Sequence, residues 1–404
     1  MKNFKKLFAI SCLAILTVLM ITQGRNISIT AEVTLPYKMD YKTFQLEVLQ
    51  GQSAIVYYQG AMYLNLTLTT ELPMGTLYDS ERKVVYMAIY PGGSNPDLIF
   101  GIAEINITDY SYKIYRFPWL IADLGYDPEH PEWGPQRYCG PSPWTIAKDE
   151  NGELWISIRS YLVTPNQHPK YRPYLAKLNT TSNILTIYYI PGGCGNDIKF
   201  HNGYIWYPTN PFLKINATSE EIVATYPCSF NLDGFMDSDG DYIWITSVSD
   251  GIVTRFNTVT ETFDLNLTGF NRPLGIEVTE DVVYVAENGE TDTIAVINKT
   301  TLQITTRIHT EAPVTNQGPY YVYKSIFGNI WWTDNSNHFG VILSNGTKIF
   351  YQSISQYNYF ISEIPGNTIL FSCKGSALTG IVIDIYVLKT IVSAGGISVR
   401  VLIN

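Results

Sequence analysis

The chain reads as all-β, and three features carry that expectation. A short unit of β-branched residues around one aromatic recurs along it, Gly, Asn and Asp turns separate the units, and helical periodicity with caps is absent throughout. The unit stands at "KVVYMAI" (Tyr86), "ELWISI" (Trp155), "YIWYPT" (Trp206), "YIWITS" (Trp244), "VVYVAE" (Tyr284), "NIWWTD" (Trp331) and "TILFSC" (Phe371), seven copies in all. From the second copy onward the aromatics are roughly 40–50 residues apart, the spacing of a four-stranded propeller blade. The expected fold is therefore a seven-bladed β-propeller of four-stranded antiparallel blades, with these aromatics packed between blades.

The elements follow in order. Residues 1–24 read as a signal peptide or signal anchor: Lys2, Lys5 and Lys6 precede an apolar run from Leu7 to Ile21, and small Thr22 and Gly24 suit a cleavage site. Residues 25–74 hold N-terminal strands. Among them "TFQLEVLQGQSAIVYY", Thr43 to Tyr58, lacks a partner in sequence, and part of it is expected to pair with the blade containing Phe371 and close the ring. Residues 75–388 hold the blades, each a strand, turn, strand, loop, strand, turn, strand, labelled A to D from the innermost. Residues 389–404 form a C-terminal strand, "GGISVRVLIN", which competes for the closing position.

Within the fourth copy, "DSDGD" sets Asp237, Asp239 and Asp241 at alternate positions. A calcium loop of the EF-hand kind needs Gly at its sixth position and Glu at its twelfth. Tyr242 and Val248 stand there, so the stretch is expected to be an A–B hairpin turn, where Asp, Asn and Gly supply the backbone angles.

Composition narrows the function classes. The 404 residues are 46% hydrophobic and 16% charged, enough to bury a large core. A net charge of −9 with no basic patch argues against nucleic acid as a partner. Cys139, Cys194, Cys228 and Cys373 remain after the leader, an even count that suits disulfides in an exported chain, with Cys194–Cys228 the preferred pair and Cys139 and Cys373 as further candidates. Sequons occur at Asn26, Asn65, Asn106, Asn179, Asn216, Asn266, Asn298 and Asn345, and five of these fall at or beside C–D turns, where Asn and Thr are also favoured by turn chemistry. The five histidines share no metal-ligand spacing, and no nucleophile elbow, His-Glu-x-x-His or phosphate loop is found.

Propeller topology places A–B and C–D turns on one face and B–C and D–A loops on the other. The longer loops, Trp119–Pro143, Ser160–Arg172, Asn288–Asp292 and Asp334–His338, belong to the second face, with the cysteines. Loops held by a rigid scaffold commonly carry function.

The stretch "RPLGIEVTEDVVYVAENGETDTIAVINKTT", Arg272 to Thr301, resembles blades of the streptogramin lyase (virginiamycin B lyase) and NHL-like propellers, and the likeness runs from about Gly75 to Tyr386. It implies inward-facing His and Glu with a divalent metal. Glu287 matches the Glu that ends the aromatic strand and Asp334 stands at that register in the next unit, whereas the usual His positions hold Leu274 and Trp144. The candidates for a metal site are thus Asp233, Glu287 and Asp334, with Glu287 and Asp334 the candidates for any catalysis, and calcium or magnesium the fitting ion. No cofactor is otherwise required. The leading expectation is an extracellular or cell-surface propeller that binds a protein or glycan through its B–C/D–A face without catalysis. Two alternatives stay open: a metal-dependent lyase or hydrolase, and a self-assembling subunit of a surface layer or filament.

Overall fold

The structure is a computed structural model that describes residues 36–58, 61–66, 71–91, 99–118, 123–124, 136–163, 170–190, 195–310, 318–334, 338–352, 355–365, 368–375, 381–394 and 397–402. Two units are distinguished, Met1–Tyr37 and Lys38–Asn404; the leader and Asn26 lie outside the described residues, and the second unit is the propeller.

Six blades are four consecutive antiparallel strands each, so the expected seven is corrected to six. Blade 1 runs Glu71–Asp79, Val84–Pro91, Gly101–Asn106 and Ser111–Arg116; blade 2 runs Gln136–Lys148, Leu154–Val163, Lys170–Asn179 and Ile184–Tyr189. Blade 3 is Lys199–His201, Tyr204–Tyr207, Phe212–Asn216 and Glu221–Tyr226, and blade 4 is Met236–Asp239, Tyr242–Ser247, Ile252–Asn257 and Thr262–Thr268. Blade 5 is Pro273–Val278, Val282–Glu287, Thr293–Asn298 and Gln303–His309, and blade 6 is Pro319–Lys324, Ile330–Asp334, His338–Ile342 and Lys348–Gln352.

The copy around Phe371 does not build a blade of that kind. It supplies three strands, Ser355–Ile364, Thr368–Gly375 and Ile381–Ala394, to a composite closing sheet finished by Ala61–Asn65 and Ala54–Tyr58 from the start of the chain. The physical reason is the length of Ile381–Ala394. Its first half pairs with both Thr368–Gly375 and Ala61–Asn65, while its second half turns back onto Ile397–Leu402, leaving no C-terminal strand for the fourth place. The stretch Thr43–Tyr58 is itself divided: Tyr41–Gln45 adds to the outer strand of blade 2, Glu47–Gln52 to that of blade 1, and Ala54–Tyr58 to the closing sheet. Exposed sheet edges are pairing hazards, and this N-terminal run covers three of them.

The aromatics share one register. Each second-strand aromatic faces an inner-strand residue across the ladder: Leu77 opposite Tyr86, Ala147 opposite Trp155, Lys199 opposite Trp206, Asp237 opposite Trp244, Glu277 opposite Tyr284, Tyr323 opposite Trp331 and Ile361 opposite Phe371. Trp155, Trp206, Trp244 and Trp331 are all buried. Some pack across the blade boundary, as Trp206 does on Phe256 (5.3 Å) and Trp331 on Phe371 (5.7 Å). Burying a Trp stabilises by several kcal/mol, so these four residues contribute substantially to the core.

Inner strands approach closely where Pro-x-Gly, at Pro73–Gly75 and Pro273–Gly275, supplies glycine. A Cβ on Gly75 would lie 2.7 Å from the Trp144 carbonyl oxygen and one on Gly275 would lie 2.7 Å from Tyr321 Cα. Register shifts interrupt these two strands and the inner strand of blade 2, and in blades 2 and 4 a buried hydroxyl two residues after the tryptophan takes an inner amide: Ser157 Oγ accepts from Thr145 N (3.0 Å), and Thr246 Oγ1 accepts from Phe235 N (2.9 Å) and donates to the Leu274 carbonyl of the next blade (2.7 Å). Closure brings Thr76 Oγ1 within 2.6 Å of Ser362 Oγ, 286 positions along the chain.

Candidate functional site

The A–B turns answer the question raised by Asp237, Asp239 and Asp241. Asp239 ends strand A and accepts from the Trp244 indole (3.3 Å), Asp237 accepts from Val278 N and pairs with Lys199, and Asp241 is exposed, its carbonyl taking the Thr258 amide. Two of the three carboxylates thus serve separate contacts, Asp239 also pairing with Lys299, while Asp241 contributes only its backbone carbonyl to the turn. Blade 2 has the same device in Asp149, whose Oδ1 accepts from the amides of Asn151 and Glu153 while Oδ2 accepts from the Trp155 indole (2.9 Å).

On the opposite face, Asp233, Glu287 and Asp334 are engaged separately. Asp233 accepts from the amides of Val248 (2.8 Å) and Ser249 and from the Ser249 hydroxyl. Glu287, 1% exposed, accepts from Asn271 N (3.0 Å) and Thr293 Oγ1 (2.6 Å) and pairs with Arg307 (2.9 Å). Asp334 takes the His338 amide (3.2 Å), with the imidazole at 3.6 Å. Each carboxylate holds a B–C or D–A loop. Among the described residues no three His, Cys, Asp or Glu side chains are grouped so as to hold a metal ion.

Cys228 carries a free thiol that donates to the Phe230 carbonyl (3.2 Å), and burial raises its pKa above the usual thiol value; its expected partner Cys194 lies outside the described residues. Cys139 and Cys373 lie in the strands Gln136–Lys148 and Thr368–Gly375. Of the sequons, Asn106, Asn179, Asn216 and Asn298 each end a C strand, with the side-chain oxygen accepting from one or two amides of the C–D turn. Asn345 does the same in the C–D turn of blade 6. Asn257 occupies this place in blade 4 with the same two bonds but is followed by Thr258 and Val259, so it is no sequon. Turn geometry alone therefore calls for Asn here. Asn266 is exposed on the outer strand of blade 4, and Asn65 ends a strand of the closing sheet.

The B–C/D–A face is uneven. Strands A, B and C of blade 2 have 13, 10 and 10 residues, against 3, 4 and 5 in blade 3. The turn-side ends are matched, with Leu154 opposite both Lys148 and Leu178, so the extra length lies at the other end. There Arg137 pairs with Val163, Leu162 with Lys170, Tyr161 with Tyr171 and Ser160 with Arg172, and Asp123–Leu124 adds a short strand.

The centre holds a group that the sequence reasoning missed. A cavity of about 390 Å³ is lined by the inner strands, among them Leu77, Thr145, Lys148, Asp197, Lys199, Met236, Tyr321 and Phe360. The inner positions opposite the aromatics carry charge in three successive blades, as Lys199, Asp237 and Glu277. Lys199 pairs with Asp237 at 2.6 Å, keeps 33% of its side-chain surface open, and lines the central cavity. Burial opposes its charge, but Asp237 outweighs burial and holds the ammonium above its usual range. Burial pushes Asp197 up to about 6, against the pull of the Met236 amide and Lys199. Burial and then the Asp237 charge drive Glu277 well above the carboxylate range, and burial and Glu277 raise Tyr321 likewise. The available signal was a charge in the inner strand opposite each aromatic, in "IKF", "MDS" and "IEV".

No family model matches the chain and no curated protein matches it. Among solved structures it is similar to one titled "Structure of U3-55K" (TM-score 0.56, 9% identity, 83% of this chain and 98% of that one). It is also similar to "Crystal structure of WD40 beta propeller domain of Doa1" (TM-score 0.51, 9% identity, 83% and 96%). The class is that of the β-propellers. The likeness covers the fold and does not single out the lyase-like or NHL-like branch.

Proposed function

We propose that this protein is an exported, extracellular or cell-surface propeller that binds a protein or glycan through its B–C/D–A face, without catalysis. The observation that carries the proposal is the extension of blade 2 beyond the length of its neighbours at that face. The extension runs past the ends of the blade 3 strands, and its sequence holds Arg137, Tyr138, Arg159, Tyr161, Tyr171 and Arg172, residue types that dominate binding energy at interfaces. The test is a glycan array together with cell-surface cross-linking, comparing the wild type with a Tyr138→Ser, Tyr161→Ser, Tyr171→Ser variant. Binding lost with an unchanged unfolding temperature supports the proposal. Binding retained by that variant but lost on Ile326→Ser, at the opposite face, refutes it. A second reading, self-assembly, is favoured by the outer strands of blades 4, 5 and 6, which carry no added strand among the described residues. Concentration-dependent oligomers in light scattering would support it.

A further inference from the structure

Turn chemistry accounts for five of the sequons, because Asn106, Asn179, Asn216, Asn298 and Asn345 each hold a C–D turn, as Asn257 does without being a sequon. Asn266 has no such role. It lies within the outer strand of blade 4, Thr262–Thr268, a setting in which asparagine is disfavoured. Its backbone pairs with Thr254, and its side chain is exposed and has no hydrogen-bond partner among the described residues. Leu267 and Thr268 complete the sequon. Side chains alternate along a strand, so Asn266 and Thr268 share one face, and both are exposed.

The same strand is a sheet edge. Glu47–Gln52 and Tyr41–Gln45 cover the outer strands of blades 1 and 2, whereas among the described residues nothing is added to Thr262–Thr268. Its sequence, "TFDLNLT", is rich in β formers and carries one charge, Asp264, which Arg255 of the same blade holds at 2.9 Å. A register shift interrupts the ladder near Asp264, but Leu265–Thr268 pairs regularly with Ile252–Arg255. A regular edge with no free charge invites pairing with another chain, and natural proteins protect such edges. Asn266 stands inside that regular run.

We propose that Asn266 is an N-glycan acceptor and that its glycan guards the open edge of blade 4 against pairing with a second copy of the chain. The donor is a polyprenyl-pyrophosphate-linked oligosaccharide, supplied with its transferase along the export route. Asn266 Nδ2 attacks the anomeric carbon of the first sugar, and an N–C bond forms as the C–O bond to pyrophosphate breaks. The pyrophosphate leaves with the electron pair, and Nδ2 gives up one proton to solvent. A partner strand would have to lie about 4.8 Å from Thr262–Thr268, and a bulky, hydrated glycan rooted there occupies that space. The proposal rests on export but not on the loop-face site, and it confines the self-assembly reading to blades 5 and 6.

The experiment is glycopeptide mapping and N-terminal sequencing of the full chain purified from its own cells. The expected result is a chain that starts beyond the leader and carries a sugar on Asn266. A processed chain with Asn266 unmodified overturns the proposal and leaves export standing, whereas an intact leader with every sequon unmodified overturns both. The guard is read by light scattering of variants made in the same cells. Asn266→Gln and Thr268→Ala should each lose this glycan and show a mass that rises with concentration above that of the wild type. Thr268→Ser keeps the sequon and should keep both the glycan and the wild-type mass. Glycan-free variants whose mass equals that of the wild type at every concentration refute the guard.

Discussion

Blade 6 repeats the A–B turn of blade 2 with one exchange, and the exchange can be reversed in both directions. Asp149 and Ser325 occupy the same turn: each amide donates to the residue four on (Glu153 and Asn329), and each carbonyl accepts from a glycine with φ 77°, Gly152 and Gly328. In blade 2 the Asp149 carboxylate takes two turn amides and the Trp155 indole. In blade 6 the Ser325 hydroxyl is too short, and both Ser325 Oγ and the Trp331 indole nitrogen are buried without a hydrogen-bond partner. A buried donor left unmade costs about 1–3 kcal/mol. Ser325→Asn supplies an acceptor for Trp331 and should stabilise by about 1–2 kcal/mol, or roughly 2 °C in unfolding temperature. Asn is chosen over Asp because the Glu363 carboxylate already receives the Ile326 amide at 2.9 Å and would repel a second charge. The reciprocal change, Asp149→Ser, removes three bonds and should cost about 2–4 kcal/mol. Differential scanning fluorimetry measures both, and the emission of Trp331 should shift in the first variant. If Ser325→Asn destabilises, or Asp149→Ser is neutral, the equivalence of the two turns is refuted.

Four further outcomes are expected. Thr246→Val removes the hydroxyl bridge to Leu274 but leaves Phe235 N a weaker bond to the same carbonyl (3.3 Å), so chemical denaturation should register a loss of about 1–3 kcal/mol rather than more. Gly275→Ala forces a methyl against the Tyr321 backbone and should destabilise by about 1–3 kcal/mol in the same assay. Asn257→Ala and Asn298→Ala should each cost about 1–2 kcal/mol in non-glycosylated protein, because both lose the same two turn bonds; a loss confined to Asn298 would show that the asparagines are not there for the turn. Asp79 is lowered, as Lys148 and the Glu81 and Arg82 amides outweigh burial, and Lys214 lowers Glu261, so these contributions are present above the unfolded carboxylate values and are lost as pH falls through the folded ones. Thermal unfolding followed on acidification should therefore show a falling transition temperature, and stability unchanged down to strongly acidic solution would contradict it.

The propeller was legible because its signals are local. A tryptophan between β-branched residues and a Gly or Asn turn each act within a few residues, and Trp155, Trp206, Trp244 and Trp331 all lie in the second strands where that pattern puts them. The blade count was not legible in the same way. "TILFSC" resembles the other units, but a blade also needs a fourth strand, and the strand beside Ile381–Ala394 comes from Ala61–Asn65. Long-range pairing leaves no mark on either segment. The central carboxylates were overlooked for a related reason: Asp197 and Glu277 acquire their unusual environment from strands of other blades. Glu287 and Asp334 drew notice because they end aromatic strands, yet their positions serve the loops beside them.

The composite closing sheet has a consequence for the order in which the protein can form. Synthesis delivers Ala61–Asn65 long before Ile381–Ala394, so the earlier strand waits with one edge unpaired until the later one exists. Each blade can assemble from neighbouring residues as it emerges, but the ring shuts only when contacts such as Thr76 with Ser362 are made across 286 positions. Such distant contacts slow folding and leave the incomplete ring open to pairing with other chains, including other copies of itself. A truncation near the C-terminus would thus release finished blades in an unfinished circle, and a nascent chain held at that stage would be the form most in need of a chaperone.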